Sequence, residues 1–169
     1  EALLHNRHVQ SVAMANVQLG DEVALVWAEV LRVNTTIQRL NLEGNRIASL
    51  GVSALASAIR TNSTLLELKL DHQVGGSCSM TSEMELARAV EAQGKLKKFS
   101  YSMRNMQSRD IVQKALMQNL EAGRLERQST RKQSGSVGGT APSGAMGTMS
   151  TRAGATSNAV EPQKIIQWF

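Results

Sequence analysis

Residues 35–47, "TTIQRLNLEGNRI", place apolar side chains at Ile37, Leu40, Leu42 and Ile47, with Asn45 ahead of the last of them. This spacing fits neither a helix, with its period of about 3.6, nor a half-buried strand that alternates every second residue. It fits L-x-x-L-x-L-x-x-N-x-L, the comb of a leucine-rich repeat, in which a short strand turns a corner and an Asn satisfies backbone groups there.

The comb recurs. "NRHVQSVAMANVQLG", "NTTIQRLNLEGNRIA", "NSTLLELKLDHQVGG" and "GKLKKFSYSMRNMQS" align Val9, Ile37, Leu65 and Leu96 at one position and Val12, Leu40, Leu68 and Phe99 at the next. Met14, Leu42, Leu70 and Tyr101 share the third. The intervals are 28, 28 and 31 residues, and the extra length falls near "QVGGSCSMT", a Gly- and Ser-rich loop. A unit of this length holds one strand and one full helix. The expected fold is therefore an α/β leucine-rich-repeat solenoid of ribonuclease-inhibitor type, about four repeats plus a C-terminal helix, with parallel strands inside and helices outside.

Helical patterns fill the intervals. "GDEVALVWAEVLRV" opens with Asp21 and Glu22 at the positive end of a helix dipole and places Val23, Val26, Trp27, Val30 and Leu31 on one face. The next helix presents Val52, Leu55, Ala56 and Ile59, and its small residues Ala54, Ala56 and Ala58 permit close approach to the sheet. In "TSEMELARAVEAQ", Thr81 or Ser82 is the expected N-cap, Glu83 and Glu85 lie in the first turn, and Met84, Ala87 and Val90 face inward. The last helix carries Ile111, Ala115, Leu116 and Leu120, with a stop expected at Gly123.

Composition shifts after about residue 126. Residues 1–126 are read as the repeat domain with its final helix, and 127–169, rich in Ser, Thr, Gly and Ala, as a low-complexity disordered basic tail ending in the candidate docking segment "KIIQWF". Residues 1–126 carry 14 basic and 13 acidic side chains; the five remaining basic residues and Glu161 lie beyond them. The basic balance therefore belongs mainly to the tail. With dispersed charge, 3% aromatic residues and no recognised module, nucleic-acid binding is not expected. One cysteine, Cys78, excludes a disulfide framework, and no apolar run reaches the roughly 18 residues of a membrane span, so a cytoplasmic protein is expected. The sequons at Asn34 and Asn62 share one repeat position between helix and strand, which points to a structural role.

Catalysis is not expected either. His5 and His8 have no further ligand at metal spacing, His72 and Cys78 lack an orienting third group, and Glu83 and Glu85, two apart on a helix, point in different directions. The glycines of "SVGGTAPSGAMG" form no phosphate-binding motif, so no cofactor is expected. The remaining functional surface is the rim of strand-to-helix loops, "ANVQLG", "EGNRIAS", "DHQVGGSCSMTS" and "SMRNMQS", at the carboxyl ends of the strands.

"ALLHNRHVQSVAM", "AEVLRVNTTIQRLNLEGNRI", "ALASAIRTNSTLLELKLDHQ", "SEMELARAVEA" and "LKKFSYSM" together resemble the carboxyl-terminal leucine-rich-repeat domain of tropomodulin and its relative leiomodin, over about residues 1 to 124. The resemblance implies pointed-end capping of actin filaments through the strand-to-helix loops and last helix. It implies a cytoskeletal location, and tropomyosin binding through upstream sequence. Carried onto matching positions, it gives Asn45, Arg46, Asp71, His72, Gln73, Arg104, Asn105, Arg109 and Lys114 as candidate actin-binding residues. The chain departs from the family in the Gly-Gly-Ser-Cys-Ser insert of the third loop, in a last loop without the usual Gln-Gly-Pro run, and in Arg46, where a bulky apolar residue is usual. No actin-monomer-binding WH2 element is recognisable in 127–169, so the reading is a capper rather than a nucleator. A ribonuclease-inhibitor-like adaptor or small-GTPase regulator shares the same repeat and stays open as the alternative.

Overall fold

The computed structural model of the chain describes residues 2–75, 78–134 and 165–167. Four three-residue strands, β1 (Ser11–Ala13), β2 (Arg39–Asn41), β3 (Glu67–Lys69) and β4 (Lys98–Ser100), lie parallel in chain order. Each leads into a helix: α1 (Asp21–Val33), α2 (Ser49–Thr61), α3 (Met80–Gln93) and α4 (Met106–Ser134). A further strand, β5 (Ile165–Gln167), pairs parallel with β1 and takes the outer edge of the sheet. The register puts Val12, Leu40, Leu68 and Phe99 side by side, as the repeat alignment requires.

The comb residues form the core. Ile37, Leu40, Leu42, Leu65, Leu68, Leu70 and Leu96 are at most 1% exposed, and Leu31, Leu55, Ile59 and Leu86 close over them from the helices. Burial of each such side chain favours the fold by about 1.5–3 kcal/mol. Strands stay short because the chain turns after the third comb position to carry the next residues inward.

A polar ladder reinforces this stack. At the helix-to-strand turn, Asn34 accepts the Thr36 and Ile37 N–H groups and donates to the Leu3 and Asn6 carbonyls of the preceding turn. Asn62 repeats the arrangement one unit later, accepting from Thr64 and Leu65 and donating to Leu31. Gln93 does the same with Lys95, Leu96 and the Leu65 carbonyl. Asn34 and Asn62 are thus buried structural residues, and their sequon amides are engaged.

Helix packing departs from the sequence reading in phase and extent. In α1 the inward face is Ala24, Trp27, Ala28 and Leu31, an i, i+3, i+4, i+7 stripe with Val30 buried beside it, so of the expected face Val26 turns out, 58% exposed. Between α1 and α2 the close approach depends on Gly51: a Cβ there would lie 2.7 Å from Ala24 Cβ, Asp21 Oδ1 and Ile47 Cγ2. Ser79, rather than Thr81 or Ser82, caps α3, its hydroxyl accepting the Ser82 N–H. Met84 is only partly buried, while Leu86 is fully so. In α4 the inward stripe is Ser108, Val112, Ala115 and Asn119, leaving Leu120 half-exposed. Asn119 donates to the Leu96 carbonyl and ties the last helix to the last turn.

Gly123 does not end α4, which continues to Ser134. In mid-helix a glycine costs only about 1 kcal/mol, less than it takes to stop a helix whose neighbours are good formers. Residues 127–134 are therefore helical, although the composition there implied disorder. The rest of that expectation, on 135–164 and 168–169, lies outside the described residues.

Candidate functional site

Each strand ends in a tight corner, and two positions of the corner repeat. Asn16, Gly44 and His72, spaced 28 apart, all have left-handed backbone, with φ of 60°, 68° and 56°. Gly meets that conformation without strain, and Asn and His are among the side chains enriched in it. Its ring is 75% exposed, with Nδ1 3.1 Å from Glu43 Oε1.

The second position belongs to a bracket. Asn45 Nδ2 donates to the Met14, Leu42 and Glu43 carbonyls, and its Oδ1 accepts the Val17 and Leu19 N–H groups. Twenty-eight residues on, Gln73 Nε2 donates to Leu42, Leu70 and Asp71, and its Oε1 accepts from Ile47. Each bracket therefore clamps its own corner to the preceding one. Asn45 is fully buried with its polar atoms engaged, which removes it as a contact for a partner and makes it scaffold. Gln73 is partly buried, its amide is equally committed to the backbone, and it still borders the cleft described below.

The last corner is clamped differently. Among the described residues none of a following repeat reaches it, and Glu83 of α3 supplies the acceptor: its Oε2 receives the Arg104 and Asn105 N–H groups, each at 3.0 Å. The Glu83 side chain is 1% exposed and lies 3.5 Å from Arg104 Nε, while the Arg104 side chain is 66% exposed. Reading Glu83 only as a first-turn residue of the helix missed this role. The signal was present in the spacing, since Glu83 stands three and four residues before Leu86 and Ala87, on the inward face. Glu85 points away and accepts from Ser53 on α2.

Around this corner the third and fourth loops enclose an open cleft of about 520 Å³, bringing His72 and Gln73 next to Cys78, Tyr101, Ser102 and Arg104. Arg104 crosses it by donating through Nη2 to the Cys78 carbonyl. Burial pushes the Cys78 thiol pKa up, and burial together with the neighbouring Cys78 raises that of Tyr101. Both groups are thus protonated at neutral pH and unsuited to nucleophilic work. Asp71 accepts the Ser102 hydroxyl at 2.5 Å and the Ser100 hydroxyl at 2.8 Å. The Ser102 bond, with Ser100 adding to it against partial burial, holds the Asp71 carboxyl below its ordinary range. Asp71 thereby ties β3 to the last strand and remains partly exposed.

The other candidates lie along the same edge or on the last helix. Arg46 is exposed on the second loop. Asn105, half-buried, accepts the Gln107 N–H at the start of α4, and the exposed Arg109 donates to the Met103 carbonyl. Lys114 projects from the outer face of α4 beside Asp110, Gln113 and Met117, away from the cleft. Met117 is 66% exposed, and Met106, Leu120 and Leu125 are exposed on that helix too. Among the described residues, no group of three or more His, Cys, Asp or Glu is placed to hold a metal ion, and no helix is long and apolar enough to cross a membrane.

A parallel comb with bracketed corners, a charged rim and exposed apolar side chains on the last helix defines a leucine-rich-repeat domain. Its sequence places it further: the chain belongs to the tropomodulin/leiomodin leucine-rich-domain family, whose pattern it matches over residues 1–122. Tropomodulin-4 of Bos taurus is 35% identical over 127 residues, covering 75% of this chain and 36% of the relative. Leiomodin-1 of Mus musculus is 34% identical over 139 residues, covering 82% of this chain and 23% of the relative. The chain thus spans about a third or less of the curated relatives it matches.

Solved structures agree. The structure described as leiomodin-1 actin-binding site 2 superposes with a TM-score of 0.74 at 33% identity, covering 79% of this chain and 76% of that one. The tropomodulin C-terminal domain of Caenorhabditis elegans gives 0.71 at 25% identity, with 75% of each chain covered. The α/β repeat fold expected from the comb is therefore the fold found. The adaptor and GTPase-regulator alternative shares this architecture but gains nothing from these matches.

Proposed function

We propose that this domain binds actin along the rim of its second, third and fourth strand-to-helix loops and the outer face of α4, and that it serves pointed-end capping. The carrying observation is the likeness to the leiomodin-1 structure named for an actin-binding site, which extends over 79% of this chain. The geometry supports a binding role. Arg104, Arg109 and Lys114 are exposed near or on the last helix, and the apolar Met117 and Leu120 lie on its surface as well. Positive charge at such an edge steers an acidic partner, and exposed apolar side chains supply contact area once it docks. With Asn45 and Gln73 assigned to the scaffold, the working contacts are Arg46, Asp71, His72, Arg104, Asn105, Arg109 and Lys114. The chain acts by binding rather than catalysis, at the cytoplasmic actin cytoskeleton, and tropomyosin engages sequence upstream of residue 1.

The test is elongation at the pointed ends of gelsolin-capped actin seeds, read beside direct binding to monomeric and filamentous actin. The chain slows subunit addition in a dose-dependent way, and Arg104→Glu combined with Lys114→Glu weakens binding about tenfold or more, consistent with losing two charged contacts. Absence of binding to either form of actin at tens of micromolar protein overturns the proposal.

A further inference from the structure

On the edge where helices return to strands, two elements bring cations together. Gly94 ends α3 with φ of 71°, and Lys95 and Lys97 follow it in the turn to β4. With Gly123 and Glu126 of α4 they line a groove of about 260 Å³, into which neither glycine puts a side chain. A Cβ built on Gly123 would lie 3.6 Å from Lys97 Nζ and 3.7 Å from Arg127 Nη1, so a lysine of the turn and an arginine of the helix meet over one point. Lys97 is partly buried. Among the described residues, the side chains of Lys95, Lys97, Arg127 and Glu126 make no hydrogen bond or ion pair. The dipole of α3 favours cations just past its C-terminus, which accounts for the two lysines but not for Arg127, which arrives from another helix. Like charges brought together repel, and an anion between them turns that repulsion into attraction.

We propose that this groove binds a phosphate monoester, with Lys97 and Arg127 holding its oxygens above Gly123. Three cations against the Glu126 carboxylate leave an excess of positive charge that a single carboxylate ligand would only partly cancel. A phosphate monoester carries about −1.5 to −2 at neutral pH, and its three oxygens can reach donors on different walls. The same chemistry is offered by a soluble phosphate and by a phosphorylated lipid headgroup. The exposed Arg124 and Arg131 lie near Arg127 on one face of α4, at i−3 and i+4. The site is independent of the actin reading: it lies at the amino ends of the strands, and Gly123 stands about two and a half turns beyond Lys114, on the opposite side of α4.

Two titrations of the full chain test it: sodium phosphate at constant ionic strength, followed by amide NMR shifts, and phosphatidylcholine vesicles with or without phosphatidylinositol 4-phosphate, followed by sedimentation. The Gly94, Lys97 and Gly123 amides shift together and saturably with phosphate. Gly123→Glu places a carboxylate in the groove four residues before Arg127, a favourable order on a helix, and replaces a poor helix former. This variant melts no lower than the parent, and its affinity for the phosphate group falls about tenfold or more. If it does melt lower, Lys97→Gln combined with Arg127→Gln decides, with the same loss expected. Sedimentation that requires the phosphorylated lipid and is lost in the variant assigns a headgroup; saturable shifts without sedimentation assign a soluble phosphate. The proposal is overturned if neither probe binds, or if binding survives unchanged in the variant that decides.

Discussion

Glu83 and Arg104 are joined twice, by the Arg104 N–H donating to Glu83 Oε2 at 3.0 Å and by the Arg104 Nε at 3.5 Å from Oε1. The same carboxylate also holds the Asn105 N–H, so one buried side chain on α3 closes the final corner. Glu83→Ala leaves two N–H groups without an acceptor in a partly buried site. At about 1–3 kcal/mol for each such group, a loss of about 3 kcal/mol follows. Urea unfolding should show a lower midpoint with an unchanged slope. Glu83→Gln keeps one acceptor oxygen and should lose less. A midpoint within error of the parent for Glu83→Ala would refute the bracket.

Asn45 and Arg46 are neighbours in sequence and opposites in role. Asn45→Ala removes a fully buried amide with five backbone partners. It should destabilise by about 3 kcal/mol or more. Arg46→Ala changes an exposed side chain and should stay within about 0.5 kcal/mol of the parent. Under conditions where both variants are folded, only Arg46→Ala should alter actin affinity. The reverse pattern in a binding titration would reassign both residues.

Gly51 sits inside α2, where alanine would ordinarily favour the helix by about 0.8–1 kcal/mol. Here the added methyl meets three atoms at 2.7 Å, two of them carbons of Ala24 and Ile47 held in the core. Overpacking of this kind costs about 1–3 kcal/mol, so the sign reverses and Gly51→Ala should lower the melting temperature by several degrees. A higher melting temperature would mean that α1 and α2 can separate at little cost.

Asp71 supplies a pH dependence at the rim. Its carboxyl pKa is held below the ordinary 3.8, first by the Ser102 hydroxyl. The unfolded chain therefore takes up this proton at a higher pH than the folded one. The contribution to stability is full above about pH 4 and fades as pH falls below that toward the folded-state value. Ser102→Ala together with Ser100→Ala should flatten this part of the stability profile, measured by denaturant midpoints between pH 5 and pH 2.5 (an interval set about the ordinary carboxylate range). An identical acid slope in the double variant would assign the effect to other carboxylates.

Much of the fold could be read from the comb, because the comb is the core. Leu40, Leu68 and Phe99 had to be adjacent once the 28-residue period was recognised, and the Asn34 and Asn62 sequons declared themselves by sharing a repeat position. Helix phase was less legible. Val26 and Leu120 are apolar and within a turn of the true stripe, and periodicity alone does not say which edge of a broad apolar arc faces the sheet. The end of α4 was misread because Gly123 carries two opposite meanings, a cap near a helix end and a modest penalty within one. At the candidate site, exposed charges such as Arg46, Arg104 and Lys114 were legible as rim residues. Asn45 and Gln73 were not separable from them, since an amide that binds a partner and one that brackets its own backbone look alike in sequence. The spacing of Glu83 before Leu86 and Ala87 marks its inward direction, but its corner partners lie 21 and 22 residues away, beyond any local pattern.

The Glu83 bracket also sets a polarity on how such an array can lengthen. Asn45 and Gln73 reach back to a preceding neighbour with the same contacts, so a duplicated 28-residue unit spliced between them would find its donors and acceptors in phase. A unit appended after Met103 would instead arrive at amides that α3 has already claimed. Gene duplication can therefore extend this solenoid from within, whereas growth past its fourth strand first requires the acid on α3 to be given up.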